Sequence, residues 1–480
     1  MTPPRHVPKI FTEAVEAVHY AGEIYEAGLS AVQDGLARLA RGEETPLVHA
    51  PYPEIEIAAT HHDLNVDARR SYGVLLEPGV YTTTLTRPDL FADYYTEQIG
   101  LLIARHKVSV TIRESASQIP LPFARESSLI NLDEAGVRAL QTQFALPDLW
   151  QTDDAIASSA KPHRDDDVNP LALFTAERVD YSLARLRHYT GTAESHFQRF
   201  VLLTNYQRYI DAFNDYALAE LEADGDDIAF VGPGNVMHRA GGVVEGQAPA
   251  SLPQMPAYHL KRPDGDGITM VNIGVGPSNA KTMTDHLAVL RPHCWMMLGH
   301  CAGLRRSQLL GDYVLAHGYV RADHVLDDDI PPWVPIPPIA EVQTALQEAI
   351  AEVTGLRGRE MKRRVRTGTV YTTDNRNWEL RFREVFGELN MSRAIAVDME
   401  SATIAANGFR FRVPYGTLLC VSDKPVHGEL KLGGTANAFY RERVSQHLMV
   451  GIETMRLLRE QGPDQLHSRK LRGFDEPAFR

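Results

Sequence analysis

AIAVDMESATIAAN, residues 394–407, is the part of the sequence that most clearly indicates the fold. Its apolar first part, residues 394–397, is typical of a buried β-strand, and its small residues from Ser401 onward are typical of a helix. Asp398 and Glu400 lie where the strand gives way to the helix. Because strand ends form the ligand-binding edge of α/β sheets, this stretch predicts an α/β fold with acidic residues at that edge.

A second strand with an acidic end follows in LLCVSDKP, residues 418–425. Asp423 ends the apolar run, beside the turn-forming residues Ser422 and Pro425. Carboxyl groups placed side by side can be tuned to different pKa values for proton transfer. Taken alone, Asp398 is better explained as a helix N-cap and Asp423 as a solvated turn residue. Together, the two segments predict a catalytic site.

Charge, cysteine placement and the lack of long apolar segments argue against several classes of protein. The net charge is −13, from 49 basic and 62 acidic side chains, which argues against binding to duplex DNA. Cys294, Cys301 and Cys420 all lie in apolar segments, a pattern typical of reduced core thiols. The N-terminus lacks an apolar signal segment and nowhere do eighteen apolar residues run together, so we expect a cytoplasmic protein without a membrane partner.

Periodicity and turn signals predict two domains in the 480 residues. Residues 1–185 are predicted to form an N-terminal α+β domain, which includes a polar boundary segment at 145–190. Its elements are predicted as a helix over 10–40, a hairpin of strands 71–76 and 79–85, a helix over 89–106 and a strand over 108–112. Residues 190–480 repeat strand–helix units, which predicts a catalytic domain with a central, mainly parallel twisted sheet flanked by helices.

Two further features have both a structural and a functional interpretation. The loop GVGPSNA, residues 274–280, contains Gly276 between a strand and a helix. It is either a tight βα turn or a loop that contacts ribose or phosphate, since it lacks the third glycine of a dinucleotide fingerprint. Trp378 could stack on a base or fill the core.

Basic residues follow several predicted strands, and this shared location favours contact with phosphate, although each residue alone is better explained as a solvated surface charge. They are Arg305, Arg306, Arg376, Lys424 and Lys431.

Three motifs together resemble the nucleoside phosphorylase/nucleosidase superfamily in order and spacing. They are GHCAGL at 299–304, VDMES at 397–401 and VSD at 421–423. The resemblance covers residues 195–465 and is closest to the AMP nucleosidase family, whose catalytic domain also carries TNY, here 204–206, and SDKP, here 422–425. That family has an N-terminal domain of similar size, so the resemblance implies that residues 1–185 are regulatory.

The resemblance implies hydrolysis of the N-glycosidic bond of AMP to adenine and ribose 5-phosphate. Asp423 would protonate the purine at N7, and Glu400 would bind the ribose hydroxyls. Glu400 is also the residue that we expect to activate water, because the loop at 204–208 contains no acid. The remaining residues expected to bind substrate are Asp398, Met399, Gly276, His300, Ser422, Arg376, Trp378, Tyr206, Arg208 and Lys424.

The resemblance further implies Mg-ATP as an allosteric activator, phosphate as an inhibitor and a homo-hexamer, with no metal in the active site and no nucleic-acid partner. Two alternatives stay open: a phosphorylase of a purine nucleoside, and a non-catalytic nucleotide sensor. Phosphorylases place Arg and Ser at the positions of Met297 and His300, which favours a hydrolase over a phosphorylase. The presence of both Asp423 and Glu400 argues against a sensor.

Overall fold

The structure is a computed structural model that describes residues 6–43, 46–64, 71–124, 134–159, 168–224, 227–429, 437–466 and 471–480. The chain divides into two compact units. The first consists of Met1–Ala184 with Arg472–Arg480, and the second of Arg185–Leu471.

The first unit contains a five-stranded sheet in the order β1-β4-β2-β3-β5. Its strands are β1 (Lys9–Phe11), β2 (Pro51–Ala59), β3 (Gly79–Thr84), β4 (Val110–Gln118) and β5 (Val168–Pro170). The helices that begin in this unit are α1 (Ala14–Ala40), α2 (Pro88–His106), α3 (Glu134–Gln143), α4 (Ala155–Ser158) and α5 (Ala176–Thr190). Helices α1 and α2 confirm the predictions over 10–40 and 89–106.

The predicted hairpin is wrong, because only its second strand forms. β3 pairs with β2 and β5, and the described residues 71–78 form no strand. Tyr81 instead holds this segment through its hydroxyl, which donates to the Glu77 carbonyl at 2.7 Å. The C-terminal residues 472–480 belong to the first unit, whereas the sequence analysis placed them in the domain at 190–480. The Gly73 amide donates to the Ala478 carbonyl at 2.6 Å, and the Phe479 amide donates to the Leu171 carbonyl at 2.8 Å.

The second unit is built on an eleven-stranded sheet in the order β15-β14-β13-β16-β12-β6-β11-β10-β7-β8-β9. Its strands are β6 (Phe200–Thr204), β7 (Ala229–Gly232), β8 (Val236–Arg239), β9 (Gly242–Glu245), β10 (Ala257–Lys261), β11 (Ile268–Asn272), β12 (Cys294–Gly303), β13 (Tyr313–Ala322), β14 (Val365–Thr373), β15 (Ala396–Asp398) and β16 (Tyr415–Asp423). Its helices are α6 (Gln207–Asp224), α7 (Pro277–Leu287), α8 (Ala340–Thr354), α9 (Gly358–Arg364), α10 (Phe382–Met391), α11 (Ser401–Phe411), α12 (Asn437–Gln461) and α13 (Pro463–Leu466).

The α/β architecture is confirmed, but the sheet is mixed where the sequence predicted a mainly parallel one. The centre is parallel, with β11, β6, β12 and β16 aligned in one direction. β7, β8, β9 and β10 form antiparallel pairings at one side, and β13 runs antiparallel to β16 on the other. β12 and β16 are buried along nearly their whole length, as expected for strands covered on both faces.

Two further predictions can be compared with the structure. The three cysteines are free and buried, which confirms the prediction of core thiols. Among the described helices, none is both long enough and apolar enough to span a bilayer.

Candidate active site

Glu400 lies at the start of α11, immediately after β15, and is only 1% exposed. Its Oε1 accepts a hydrogen bond of 2.7 Å from the backbone amide of Gly276, the residue before α7. Burial and the neighbouring carboxylate of Asp398 raise the pKa of Glu400 to about 8, against hydrogen bonds from Gly276 and Asn205 that lower it. A carboxyl group with this pKa can donate or accept a proton near neutral pH.

Gly276 is suited to this contact by its backbone conformation. Its φ is +115°, a region that side-chain-bearing residues rarely adopt, and a Cβ built there would meet no atom within 4 Å. Gly276 therefore contacts Glu400 through its amide. Contact of the 274–280 loop with ribose or phosphate stays a prediction.

Asp398 is buried and fully engaged within the protein. Its Oδ2 accepts from the amide of Ser401 at 2.9 Å and from the Ser401 hydroxyl, and its Oδ1 accepts from the Thr372 hydroxyl at 2.6 Å. Burial raises the pKa of Asp398, and these hydrogen bonds lower it. Asp398 thus anchors the start of α11 next to Glu400.

Tyr206 connects Glu400 with the second acidic segment. It follows β6, and its pKa is raised by burial and by the carboxylates of Glu400 and Asp423, while the positive charge of Arg376 lowers it. The His300 ring lies 4.6 Å from the Tyr206 ring, measured between centroids. Residues after β6, within β12, after β14 and β15, and at the end of β16 therefore converge on one site.

Asp423 is half-buried at the end of β16, in register with Ala302 of β12. The Ser422 hydroxyl donates to Asp423 Oδ1 at 2.7 Å and lies 3.3 Å from the Cys301 carbonyl. Ser422 thus orients the Asp423 carboxyl group. This partial exposure contrasts with the burial of Glu400, and the two acids occupy different environments within one site.

Lys424 and Trp378 both contact other residues of the protein. Lys424 is 3% exposed, and its amine donates to the Gln308 carbonyl at 2.9 Å and pairs with Glu429 at 2.6 Å. Trp378 is 6% exposed. It belongs to a core cluster of Ala302, Tyr371, Trp378, Leu389, Ala394 and Val397. Of its two interpretations, core packing is the one that the structure supports.

The other predicted residues differ in their exposure and in their surroundings. Met399 is half-buried, and its backbone hydrogen-bonds Glu400. Arg376 is exposed but electrostatically coupled to Tyr206. Arg208 lines a separate cavity of about 730 Å³ with residues of α6 and α12. Lys431 lies outside the described residues.

Asn205 is the residue that the sequence analysis missed. Its side chain hydrogen-bonds Glu400, and its Oδ1 lies 3.6 Å from where a Cβ on Gly299 would be. The available signal was the position of Asn205 directly after β6, on the binding edge of the sheet.

Comparisons with known proteins show which sequences and structures the chain resembles. A family model described as the N-terminus of bacterial AMP nucleoside phosphorylase matches residues 16–167, and the model of the phosphorylase superfamily matches residues 254–449. Curated proteins named AMP nucleosidase, from Escherichia coli strains K12 and O157:H7, are each 48% identical over 476 residues, covering 97% of this chain and 98% of theirs. A crystal structure of AMP nucleosidase from Bacteroides thetaiotaomicron is 28% identical, covers 59% of this chain and 98% of its own, and aligns with a TM-score of 0.44.

Proposed function

The chain belongs to the AMP nucleosidase family and is an N-glycosidic hydrolase, and from this premise we propose that it hydrolyses AMP to adenine and ribose 5-phosphate. Asp423 acts at the purine and Glu400 at the ribose. One observation carries the proposal: Glu400 and Asp423 are buried to different extents, and the charges of both raise the pKa of Tyr206.

Glu400 has the properties that the sugar side of the reaction requires. When the glycosidic bond breaks, positive charge develops at the ribose C1′, and a buried carboxylate stabilises such charge strongly. With a pKa of about 8, Glu400 is mostly protonated at neutral pH, and its ionised fraction is the form that stabilises this charge and takes a proton from the attacking water. The Gly276 amide and Asn205 fix the carboxyl group in place for both tasks.

Asp423 supplies the proton on the purine side. It donates a proton to N7, the bond between C1′ and N9 breaks with its electron pair going to the base, and adenine leaves as a neutral molecule. Water adds its oxygen to C1′ and releases a proton to the site, so that one water is consumed per AMP. The Ser422 hydroxyl holds Asp423 Oδ1 and so directs the other oxygen.

Hydrolysis is favoured over phosphorolysis by Met297, in the first half of β12. Met297 is fully buried and apolar, at the position where the superfamily resemblance places a phosphate-binding Arg. An apolar, buried side chain cannot neutralise a free phosphate ion.

Incubation of the purified protein with AMP in phosphate-free buffer tests the reaction. We expect adenine and ribose 5-phosphate, identified by chromatography. A strict requirement for phosphate, with a ribose 1-phosphate-type product, would contradict the proposal.

Substitution Asp423→Asn tests the role of the acid. Asn keeps an oxygen that can accept from Ser422 but has no acidic proton, so turnover should fall by roughly 10²-fold or more while AMP binding by calorimetry persists. Ser422→Ala, the control, should lower turnover less. Full activity of Asp423→Asn would remove Asp423 from the mechanism.

Regulation and assembly are part of the same proposal: Mg-ATP as activator, phosphate as inhibitor, a regulatory role for the first unit, and a homo-hexamer. Support comes from the family membership and the match of residues 16–167 to a dedicated N-terminal family model. Initial rates with and without Mg-ATP and phosphate test the effectors, and analytical ultracentrifugation tests the assembly.

A further inference from the structure

Asn205 follows directly after β6, one of the central strands of the sheet, and its side chain hydrogen-bonds the buried carboxyl group of Glu400. The backbone next to Asn205 is held by the neighbouring strand β11. Thr204 is in register with Asn272, and the Thr204 carbonyl accepts from the Ile273 amide at 2.8 Å. The side chain of Asn205 therefore extends from a fixed point of the sheet towards Glu400.

The oxygen of the Asn205 side chain is not satisfied. Asn205 is half-buried, and its Oδ1 is removed from water without a hydrogen-bond donor in the part of the chain that the structure describes. The bond to Glu400 is therefore donated by the amide nitrogen. Because a buried, unsatisfied oxygen lowers the free energy of unfolding, an apolar side chain of similar size would favour folding more. Stability thus does not explain an asparagine at this position, whereas its bond to Glu400 does.

The surroundings of Glu400 oppose its ionisation. Burial and the carboxylate of Asp398 both raise the pKa of Glu400, which reaches about 8. Other titratable or charged groups from neighbouring strands lie close to Tyr206, whose pKa the charge of Glu400 raises. They are His300 and Cys301 of β12, Arg376 after β14 and Asp423 at the end of β16. Hydrogen-bond donors must therefore counter burial if Glu400 is to ionise near neutral pH.

The donors to Glu400 differ in kind. Gly276 and Met399 reach it through their backbone, whereas Asn205 reaches it through its side chain. A side-chain amide donates to a carboxylate without adding a charge, and its bond is stronger to the ionised group than to the neutral acid. Because Glu400 is mostly protonated near neutral pH, a donor of this kind raises the fraction that can accept a proton.

We propose that Asn205 is a positioning residue for the hydrolysis of AMP, and that its side-chain amide stabilises the ionised form of Glu400, which takes a proton from the attacking water. This inference rests on the proposed function, in which Glu400 acts at the ribose. Asn205 acts through Glu400 rather than through the substrate. Removal of the amide disfavours the ionised form of Glu400 and leaves the protonated form, and with it the fold, intact.

Asn205→Leu tests this role through the pH dependence of kcat. Leucine is similar in size and cannot donate, so the ionisation of Glu400 should move to higher pH by about one pH unit. The ratio of the variant kcat to the wild-type kcat should then be about 0.1 at pH 7 and approach one near pH 10. Asp423 contributes equally to both proteins and cancels in the ratio. KM for AMP should change less than about threefold. A ratio that stays constant with pH would overturn the proposal.

Two further variants keep the kinetic test specific. The control Asn214→Leu makes the same substitution within α6, where the Asn214 Oδ1 is also buried without a hydrogen-bond partner among the described residues. Its kcat ratio should not vary with pH, and a ratio that varies as in Asn205→Leu would overturn the role of Asn205. Asn205→Ala adds no bulk and should repeat the pH dependence of Asn205→Leu. A constant ratio for Asn205→Ala would also count against the proposal.

Stability measurements test the bond to Glu400 without AMP. In urea at pH 7, Asn205→Leu should have a free energy of unfolding equal to or above that of the wild type, because an unsatisfied oxygen is removed. A clear loss would indicate a structural role instead. The Tm of Asn205→Leu, compared with that of Asn205→Leu combined with Glu400→Gln, should still fall between about pH 8 and 9. The wild type, compared with Glu400→Gln, should level off there.

These measurements distinguish failure of this inference from failure of the proposed function. Absence of AMP hydrolysis by the wild type would refute the proposed function, and the pH dependence of Tm would still report the bond between Asn205 and Glu400. Hydrolysis of AMP together with the same pH dependence of Tm in both pairs of proteins would overturn the role of Asn205 alone.

Discussion

The backbone amide of Gly276 donates a hydrogen bond to Glu400 Oε1 at 2.7 Å, across 124 residues of sequence. This single contact connects the loop before α7 with the start of α11. It also satisfies one oxygen of a carboxyl group that is almost completely removed from water, where an unsatisfied polar atom would be costly.

Gly276→Ala should therefore weaken the site through the backbone. At φ +115° an alanine is strained by about 1–3 kcal/mol, and relief of that strain rotates the amide away from Glu400. We expect a lower free energy of unfolding in urea and a fall in kcat. Gly355→Ala is the matched control, since Gly355 also has a positive φ and open space around it but ends α8. It should lose stability and keep kcat, and equal loss of kcat in both variants would contradict the role of Gly276.

Asp398→Asn should destabilise the start of α11. The aspartate accepts hydrogen bonds from the amide and hydroxyl of Ser401 and from the Thr372 hydroxyl, and an amide group cannot accept all of these at both of its ends. We expect a loss of about 1–3 kcal/mol in the free energy of unfolding. Thr372→Val, which removes one donor, should cost less. An unchanged stability of Asp398→Asn would show that the cap is dispensable.

Trp378→Phe distinguishes core packing from base stacking. Because the Trp378 indole packs in the cluster with Tyr371 and Leu389, the smaller ring should lower the free energy of unfolding by about 1–3 kcal/mol. The KM for AMP should stay within about twofold of the wild-type value, because a Trp378 that packs in the core makes no contact with the substrate. A large rise in KM with unchanged stability would favour stacking on the base.

The strand ends could be predicted from the sequence because an apolar run followed by an acid is a local signal. Asp398, Glu400 and Asp423 lie at the ends of β15 and β16 as expected. The role of each residue at these strand ends could not be predicted from the sequence. That Asp398 supports α11, that Lys424 pairs with Glu429 and that Asn205 bonds Glu400 depend on contacts between distant segments.

The mixed sheet was missed for a related reason. Each strand of the second unit has the apolar character of a buried strand, and that character is the same for parallel and antiparallel neighbours. The direction of β13 against β16 follows from the connection between them, which no local pattern encodes. The predicted hairpin at 71–85 does not form, because residues 71–76 pair with no strand among the described residues.

The raised pKa of Glu400 predicts a specific pH dependence of stability. The group has an ordinary pKa of 4.5, which we assign to the unfolded chain, and a pKa of about 8 in the folded protein. Between these values the folded state binds more protons than the unfolded state, so the free energy of unfolding falls as pH rises from about 4.5 to about 8. Glu400→Gln, which cannot ionise, removes this contribution. Thermal unfolding of both proteins from pH 5 to 8.5 should therefore show a wild-type Tm that falls relative to that of the variant as pH rises. Parallel curves would contradict the raised pKa, because the buried carboxyl group would then already be ionised at pH 5 in both the folded and the unfolded state.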